Sequence, residues 1–487
     1  MSFITQSGIT SSSSPQNLPV TVQANSAGPY FAGTPYTWTI TNFDSYVTYT
    51  ATATNGTASQ STSTITYTPS TAGAGGYVIN LRPISLTISA ITAWFATLSN
   101  ANTNYALGGC VDGSDNVFTV GQGSTVNCGR IAKYSSTGAL QWQYQAGSGV
   151  STLSYRDIVA VGSDFYVSGQ YTFNGYGAID KYNNSGIKQS GVYLNSSNGF
   201  AIDTDGSDLY VCGSESSPTN NYIAKLNTSL VIQWQYTLSA TNDTRYLDIV
   251  VDGSNVYAVG RMQTVNTGSV AKYSTAGVIQ WQRTLAATGD EVYFYGVDKD
   301  SSANIYAGGT AENAFNALLV KYDSTGTLQW QRTITGTNYT QWYAVKVNGS
   351  DIYACGYSII AGAYTALIAK YDSTGTLQWQ RNITGLTLLF ANKITINSAG
   401  KLVVFAYFTV GGVIRMFTLS VPNDGSATGT YTVGGQSFTY GVSTLTSGTS
   451  TYTSAAGTMI NAVASLTANP LSTTDAASTL TAALTQV

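Results

Sequence analysis

The stretch LVKYDSTGTLQWQRT at residues 319–333 returns almost unchanged as IAKYDSTGTLQWQRN at 368–382. A second motif of the type DGSNVYAVG, as at 252–260, precedes each copy of the first. Self-similarity at a fixed period is the signature of a repeat architecture, so the chain is built largely from one repeated unit. Earlier copies of the first motif occupy residues 131–145, 223–237 and 270–284, and a weaker copy occupies 178–194.

A tryptophan in each full copy measures the period of the repeat. The mean step between these tryptophans is about 48 residues when the copy without tryptophan is counted, and β-propeller blades recur every 40–50 residues or so. Trp94, in ITAWFATLS at 91–99, precedes the first copy by the same step. We expect the tryptophans to be structural anchors of the repeat, namely Trp94, Trp142, Trp234, Trp281, Trp330 and Trp379.

Each unit predicts four short β-strands. In the copy that contains Trp330 they are expected near 293–298, in NIYAGG at 304–309, in LLVKY at 318–322 and in TLQWQRTI at 327–334. Gly, Asn and Asp between these segments suit the positive φ of hairpin turns. In the fourth segment apolar and polar side chains alternate, which is the period of a half-buried strand.

Six copies and a degenerate seventh at 391–420 predict a seven-bladed propeller. The seventh copy lacks a QWQR-type strand, whereas 91–99 is such a strand without a unit of its own. We expect 91–99 to pair with the last blade, because ring closure removes open sheet edges. The predicted fold class is all-β: an N-terminal Ig-like β-sandwich, a seven-bladed β-propeller closed by 91–99, and a C-terminal extended arm.

The expected domains follow changes in composition along the chain. Residues before 91 alternate like strands of a small sandwich, with Trp38 where a core tryptophan is expected. The last residues are rich in Ala, Thr, Ser and Leu and show no helical stripe. The boundaries are a flexible N-terminal arm at 1–15, the Ig-like sandwich at 16–90, the propeller at 91–435 and a C-terminal assembly arm at 436–487.

Two parts of the chain resemble known kinds of protein. The K-Y-D-x-x-G-x-x-x-W-Q pattern covers about two-thirds of the chain and is similar to the short propeller repeats of bacterial, archaeal and phage surface proteins. The run YTWTITNFDSYVTYTATATNG at 36–56 and the run ITYTPSTAGAGGYVINL at 65–81 resemble Ig-like modules of bacteriophage virion proteins. Together these resemblances imply a virion protein of the fibre or decoration type. The propeller itself implies a fold and hardly a function.

Composition excludes several classes of function. The chain of 487 residues has only 9% charged residues and a net charge of −3, against about 25% charged residues in an ordinary soluble protein. Nucleic-acid binding is therefore not expected. The absence of histidine excludes His-ligated metal sites and Ser-His or Cys-His catalysis. The 4 cysteines are too few for a disulfide framework in a chain of this length.

The sequence also carries signals about location. The segment MSFITQSGITSSSS at 1–14 has neither a basic nor an apolar region, and no apolar run approaches the roughly 18 residues of a membrane span. We therefore expect no signal peptide and no membrane insertion. Few charges and many small polar residues are nevertheless typical of extracellular β-proteins. A virion surface protein made in the host cytoplasm accounts for both features. Its expected partners are other virion proteins, a host surface glycan and further copies of itself, as a homo-oligomer or a multicopy array.

An aromatic residue recurs near the start of the first strand of each blade. These strands are expected to begin at the central channel, where aromatic faces could stack on sugar rings while Arg156 and Asp157 bind hydroxyls. The alternative, which repetition favours, is that the aromatic residues pack between blades. The candidate glycan site comprises Tyr105, Tyr155, Tyr246, Tyr295, Trp342, Arg156 and Asp157.

Two acidic loops are weak candidates for a calcium site. DTDGSD at 203–208 and DKDSSAN at 298–304 place carboxylates at alternate positions, as Ca²⁺-binding loops do. Neither has the Glu that an EF-hand needs at its twelfth position, so hairpin turns are the favoured interpretation. No other cofactor is expected, and the candidate ligands are Asp203, Asp205 and Asp208.

No catalytic residue is assigned, and the chain is not expected to be an enzyme. The preferred function is display on a virion, with the propeller as a glycan-binding adhesion module. One alternative is an architectural capsid or tail decoration protein without a receptor. The other is a polysaccharide-degrading enzyme, because paired carboxylates cleave glycosides without histidine. The non-repeated acids that could form such a pair are Asp157, Asp248, Asp290 and Glu291.

Overall fold

The computed structural model divides the chain into two units, residues 1–93 with 487 and residues 94–486. Before Ala93 and after Tyr452 the structure describes strand segments only. The expected N-terminal arm at 1–15 lies outside the described residues. Between Ala93 and Tyr452 the structure describes everything except residues 100–101, 124–127, 147–152, 172–175, 195–196, 216–220, 240–243, 263–265, 287–290, 312–315, 336–338 and 451.

The N-terminal unit contains antiparallel β-strands. The strands Val22–Ala24, Tyr36–Ile40, Thr64–Pro69 and Gly56–Ser61 form, in this order, a four-stranded sheet. Two further sheets have two strands each. The Ig-like assignment of 16–90 remains a prediction. The strands are Val22–Ala24, Tyr30–Phe31, Tyr36–Ile40, Thr48–Ala53, Gly56–Ser61, Thr64–Pro69, Tyr77–Val78 and Ile84–Ser89.

The second unit is a seven-bladed β-propeller. Blades 1 to 6 are antiparallel meanders of four consecutive strands. The first strand of every blade contacts the first strand of the next, and that of blade 7 contacts that of blade 1, so the first strands surround a central channel.

The strand bounds follow the predicted repeat closely. They are Asn104–Val111, Val117–Gly123, Cys128–Tyr134 and Leu140–Ala146 in blade 1; Leu153–Val161, Asp164–Tyr171, Tyr176–Asn183 and Lys188–Leu194 in blade 2; Ser197–Thr204, Asp208–Glu215, Asn221–Asn227 and Ile232–Ser239 in blade 3; Thr244–Val251, Asn255–Met262, Thr267–Ser274 and Ile279–Ala286 in blade 4; Val292–Lys299, Ile305–Ala311, Asn316–Tyr322 and Leu328–Thr335 in blade 5; Thr340–Asn348, Asp351–Ile360, Ala363–Asp372 and Leu377–Thr384 in blade 6; and Thr387–Ile396, Leu402–Val410 and Val413–Val421 in blade 7.

The strand Trp94–Ser99 supplies the fourth strand of blade 7 and closes the ring. It pairs antiparallel with the third strand of that blade, with Trp94 opposite Ser420. The Trp94 indole Nε1 also donates a hydrogen bond of 3.1 Å to the Ser136 carbonyl in blade 1. The predicted closure by 91–99 is confirmed.

The chain after blade 7 retraces the ring in the opposite direction. The hairpin Gly429–Val433 and Gln436–Val442 adds to the outer edge of blade 6, and six further strands follow. We call the strands from Gln436 to Gln486 the C-terminal belt. The assembly role expected of 436–487 remains a prediction. The further strands are Thr446–Gly448 on blade 5, Thr453–Ala456 on blade 4, Ile460–Val463 on blade 3, Ala468–Pro470 on blade 2, Asp475–Ala477 on blade 1 and Thr481–Gln486 on the Trp94–Ser99 strand of blade 7.

The repeated residues join neighbouring blades. Trp330 of blade 5 donates its indole N–H to the Ser373 carbonyl in the next blade, at 3.1 Å. Arg332 donates to the Gly375 carbonyl in the same turn, at 2.7 Å. Five of the six expected anchor tryptophans thus bond the next blade, whereas the Trp379 indole N–H is buried without a partner among the described residues. Equivalent bonds run from Trp142 to Asn184, from Trp234 to Thr275 and from Trp281 to Ser324.

The hydrophobic core is distributed over the interfaces between blades. Between blades 4 and 5, for example, Val259 and Val270 lie in one cluster with Phe294 and Leu318, and all four are fully buried. Full burial of such a side chain stabilises a fold by about 1.5–3 kcal/mol. All four cysteines are free. No helix in the described part of the chain is long and apolar enough to span a membrane.

Candidate functional site

A β-bulge interrupts the first strand of every blade at one mouth of the channel. In blade 6, Tyr343 is the extra residue between Trp342 and Ala344, and no residue of strand two lies opposite it. Bulges change the direction of a side chain and recur next to functional sites. We call the seven extra residues the bulge ring: Leu107, Arg156, Phe200, Leu247, Tyr295, Tyr343 and Asn392.

A glycine in the second strand makes room for the bulge. A Cβ atom on Gly356 would lie 1.8 Å from the carbonyl oxygen of Gln341 in the bulged strand. Gly260 and Gly309 stand in the same relation to their own first strands, also at 1.8 Å. Where the DGSNVYAVG motif is present, its glycine is therefore required by the close approach of the two backbones. Blade 7 has Ala406 at this position, and its first strand has a second register shift between Thr387 and Phe390.

The bulge separates the predicted aromatic residues into two groups. Tyr155, Tyr246 and Trp342 directly precede a bulge residue and are completely buried, at 0% exposure. The Tyr155 hydroxyl bonds the Asp180 carboxylate in the interior. These three residues belong to the core between blades and cannot stack on a ligand, which corrects their assignment to the glycan site. Tyr105 and Tyr295 are partly exposed.

Six aromatic rings form a continuous row at the channel mouth. Successive ring centroids are 5.7, 5.6, 4.8, 5.2 and 5.0 Å apart. Burial raises the pKa of Tyr407 to about 12 and that of Tyr343 well above its ordinary value, so these phenols are neutral. We call this row the aromatic arc: Tyr295, Tyr343, Tyr357, Phe390, Tyr407 and Tyr105, from blades 5, 6, 7 and 1.

The sequence interpretation missed Tyr357 and Tyr407. Both lie in second strands beside the bulge, since Tyr357 follows Gly356 and Tyr407 is the register partner of Phe390. The signal that could have found them is a break in the repeat. Blades 1 to 5 carry smaller or polar residues at this position, namely Gln122, Gln170, Ser214, Arg261 and Thr310.

Beneath the mouth, charged side chains meet across the channel. The Lys393 ammonium of blade 7 lies 3.0 Å from the Asp157 carboxylate of blade 2 and 3.3 Å from the Asp248 carboxylate of blade 4. Burial disfavours its charge, but the two carboxylates outweigh burial and raise the pKa of Lys393. In the next layer Lys346 lies 3.0 Å from Asp298. Lysines and aspartates thus neutralise one another inside the channel.

The channel brings together two of the acids considered for glycoside cleavage. Asp157 and Asp248 share the Lys393 ammonium, and their side chains are only 6% and 8% exposed. Burial raises the pKa of Asp248, although Lys393 opposes the shift. Glu291 accepts a hydrogen bond from the Tyr293 hydroxyl at the mouth. Asp290 lies outside the described residues.

The structure separates the three candidate calcium ligands. Asp203 accepts the Val251 backbone N–H in the channel, at 2.7 Å. Asp205 accepts the backbone N–H groups of Ser207 and Asp208 in its own turn, and Asp208 pairs with Lys225 at 2.9 Å. The calcium interpretation of 203–208 is therefore wrong, because the carboxylates point to different partners. In the part of the chain that the structure describes, no three acidic or Cys side chains are grouped to hold a metal ion.

The two aspartates of the loop at 298–304 also have separate partners. Asp298 faces the channel, where its carboxylate accepts the Val347 N–H at 2.7 Å. Asp300 instead caps the hairpin turn, accepting the backbone and side-chain N–H groups of Asn304 at 2.9 and 2.7 Å. The hairpin interpretation of this loop is confirmed.

Comparison with known proteins shows likeness of fold alone. No family model and no curated protein matches the sequence. Among solved structures, Sqt1 of Chaetomium thermophilum matches with 9% identity and a TM-score of 0.41, over 68% of this chain and 98% of that one. The protein YjhT matches with 12% identity and a TM-score of 0.31, over 58% of this chain and 96% of its own.

A third matching structure corrects one expectation. It is a bifunctional GH43-CE protein of Bacteroides eggerthii, with 9% identity and a TM-score of 0.30, over 72% of this chain and 63% of that one. The name of that protein states that it is bifunctional, and its structure matches the structure of this chain. The expectation that the chain is not an enzyme is contradicted here and is withdrawn. Identities this low carry no activity over to this chain.

Proposed function

We propose that the propeller binds saccharides on the aromatic arc and attaches a virus particle to its host. The observation that carries the proposal is the arc itself, with neighbouring ring centroids 4.8–5.7 Å apart at the channel mouth. Aromatic side chains that offer an apolar face beside a polar group are typical of ligand sites.

The blade structure does not require the arc. Blade 4 forms the same bulge with Leu247 as its extra residue, and blade 1 forms it with Leu107. The second strand of blade 2 likewise carries Gln170 where blades 6 and 7 carry tyrosine. Aromatic residues therefore gather on four neighbouring blades for a reason other than the repeat, and ligand binding supplies one.

We propose further that the protein acts at a virion surface. This proposal includes the Ig-like module at 16–90, the assembly role of 436–487 and a multicopy or oligomeric arrangement. Support comes from the resemblance of the repeats and of the N-terminal run to phage proteins, and from a surface with few charges. Many weak saccharide sites on one particle would act together, since linked sites raise the overall avidity.

Binding of the full-length protein to a glycan array and to host cells tests the proposal. We expect saturable binding that Tyr343→Ala or Tyr407→Ala weakens by about tenfold or more, as truncation of an aromatic anchor usually does. Tyr176→Ala is the matched control, because Tyr176 stacks on Tyr193 at 5.7 Å outside the arc. Equal loss in all three variants, or no binding at all, would reject the proposal.

The same experiment separates the alternatives. A folded protein that binds no glycan but is present in many copies over a capsid or tail would favour architectural decoration. Release of oligosaccharides during the incubation would favour polysaccharide cleavage, for which the proximity of Asp157 and Asp248 is the supporting observation. Asp248→Asn would then abolish release.

A further inference from the structure

Near one end of the aromatic arc lies an arginine that has no acidic partner among the described residues. Arg156 is the bulge residue of blade 2 and is partly exposed. Within the described residues its Nε is buried without a hydrogen-bond partner. The neighbouring Asp157 carboxylate does not serve as a partner, because it bonds Lys393 at 3.0 Å.

The surroundings of Arg156 make an unpaired charge costly. Burial lowers the pKa of Arg156, and the nearby Tyr407 of the arc opposes that shift. A buried polar group without a hydrogen-bond partner destabilises the folded state. A guanidinium binds planar anionic groups such as a carboxylate through two parallel N–H donors. An anion at this position would provide the acceptors that the fold leaves out.

Other arginines of this propeller show what a structural arginine looks like. Arg283 donates to the Gly326 and Thr325 carbonyls of the next blade, at 2.7 and 3.1 Å. Arg332 makes the equivalent pair of bonds one blade further on.

The Nε atoms of Arg130, Arg261 and Arg415 are also buried without a partner among the described residues. Arg130 and Arg415 nevertheless donate through another nitrogen, and Arg261 lies over the Tyr293 ring. Arg156 lies at the channel mouth and makes no such contact among the described residues. A role in binding accounts for its position better than a role in the blade.

We propose that the saccharide bound on the aromatic arc carries an anionic group, a carboxylate or a sulfate, and that Arg156 binds this group. The inference rests on the proposed saccharide site and specifies its ligand. The partly exposed rings of the arc supply the stacking surface, whereas Tyr357 is buried, at 8% exposure, and contacts the rings of Tyr343 and Phe390. Arg156 lies near Tyr407, which adjoins Tyr105 at one end of the arc. The anion therefore sets the position of the sugar chain along the arc.

Calorimetric titration of the full-length protein tests the inference with paired ligands. The carboxylate pair is an oligogalacturonate and its methyl ester, and the sulfate pair is a sulfated galactan oligosaccharide and its desulfated form. We expect one acidic member to bind at least about tenfold more tightly than its neutral partner, and its affinity to fall with added salt. The pair that shows the difference identifies the anion.

Variants assign the difference to Arg156. Arg156→Gln should reduce the affinity for the acidic ligand about tenfold and leave the affinity for the neutral partner unchanged. Arg415→Gln is the control: Arg415 of blade 7 also has a buried Nε without a partner among the described residues, but it donates through another nitrogen to the Gly434 carbonyl. If Arg156→Gln does not fold, the acidic and the neutral ligand are titrated into the unaltered protein at increasing salt. An acidic affinity that falls with salt while the neutral affinity stays constant supports the inference, and equal behaviour of the two ligands overturns it.

The outcomes distinguish this inference from the function on which it rests. Equal affinity for acidic and neutral ligands, with both lost in Tyr343→Ala, would overturn the anion inference and keep the saccharide site. An unchanged acidic affinity in Arg156→Gln would do the same. Failure of every saccharide to bind would overturn both.

Discussion

At the scale of single residues, Asp203 carries a charge that burial opposes. Burial raises its pKa to about 7, and the Val251 N–H bond only partly opposes the shift. An unfolded aspartate ionises near pH 3.9. Between these two values the folded state holds its proton more tightly than the unfolded state, so Asp203 lowers the stability progressively as the pH rises from about 4 to 7.

Asp203→Asn should therefore stabilise the protein more at pH 8 than at pH 4. Asparagine keeps an acceptor for Val251 and removes the buried charge. Asp205→Asn should instead destabilise the protein, because hydrogen bonds outweigh burial and lower the pKa of Asp205 to about 2. Its stabilisation is present above about pH 4 and is lost as the pH falls toward 2. Thermal unfolding at pH 4 and pH 8 checks the sign for Asp203→Asn, whose pH window lies between about 4 and 7. Thermal unfolding at about pH 2 and pH 5 checks the sign for Asp205→Asn. For either variant, equal shifts at its two pH values would contradict the argument.

The turn glycine Gly326 serves the contact between two blades. It adopts φ = +80°, and an added Cβ would lie 2.8 Å from the indole of Trp281 in the preceding blade. Gly253 has a similar φ of +77° but open space around its Cβ position. Gly326→Ala should cost about 1 kcal/mol of unfolding free energy for backbone strain and a further 1–3 kcal/mol or so for the clash.

The control is Gly253→Ala, which should cost only the strain component. Chemical denaturation of both variants measures the difference. Equal losses would mean that the Trp281 ring moves freely and does not fix the interface.

The residue-scale roles were only partly predictable from the sequence. The tryptophan anchors follow from repetition alone, because a residue present in every blade serves the blade. The sequence could not show that Trp342 is buried while Tyr343 is partly exposed, since the two residues are adjacent and both aromatic. Their burial is decided by a bulge, which depends on the pairing of two strands. The contacts of Lys393 with Asp157 and Asp248 join residues far apart in the chain, and no spacing rule predicts them.

At the scale of elements, strand periodicity and turn residues located the four strands of a blade. The predicted NIYAGG and LLVKY segments fall within or next to Ile305–Ala311 and Asn316–Tyr322. The bulge was not predicted, although its requirement is visible in the sequence as the glycine that ends each VYAVG-type motif. In a strand, glycine marks a close approach of backbones, and here the approaching backbone is the bulged first strand.

Gly356→Ala tests whether the bulge needs this glycine. The new Cβ would overlap the Gln341 carbonyl, so strand one must move and Tyr343 must leave its place in the arc. We expect the unfolding free energy to fall by about 2–4 kcal/mol and saccharide binding to be lost. Gly441→Ala is the control, because its Cβ would meet only the Thr439 methyl group at 3.6 Å. A Gly356→Ala protein with unchanged stability would contradict this account of the motif.

At the scale of the whole molecule, both ends of the propeller unit meet in blade 7. The strand Trp94–Ser99 pairs with the blade on one side and with Thr481–Gln486 on the other. Closure by 91–99 followed from counting repeats. The course of the C-terminal belt did not, because its sequence has no repeat and no marked alternation. Its strands are placed by the unpaired edges of the blades, a property of the assembled ring.

The C-terminal belt should keep the outer blade edges from pairing with other molecules. An open edge presents unpaired N–H and C=O groups that template association. Because the belt covers blade 6 first and blade 7 last, successive truncations uncover edges in a defined order. Ending the chain at Leu480 uncovers blade 7, ending it at Ser472 adds blade 1, and ending it at Ser450 also uncovers blades 2 to 4.

Light scattering during size exclusion should show self-association that increases along this series of truncations while the β-sheet circular dichroism is retained. Each step exposes further fourth strands, so the number of edges open to pairing grows as the belt shortens. Removing residues 1–90 is the control, because the strands described in that segment pair with one another and their removal leaves the belt in place. A series that stays monodisperse throughout would show that the fourth strands resist edge pairing without the belt.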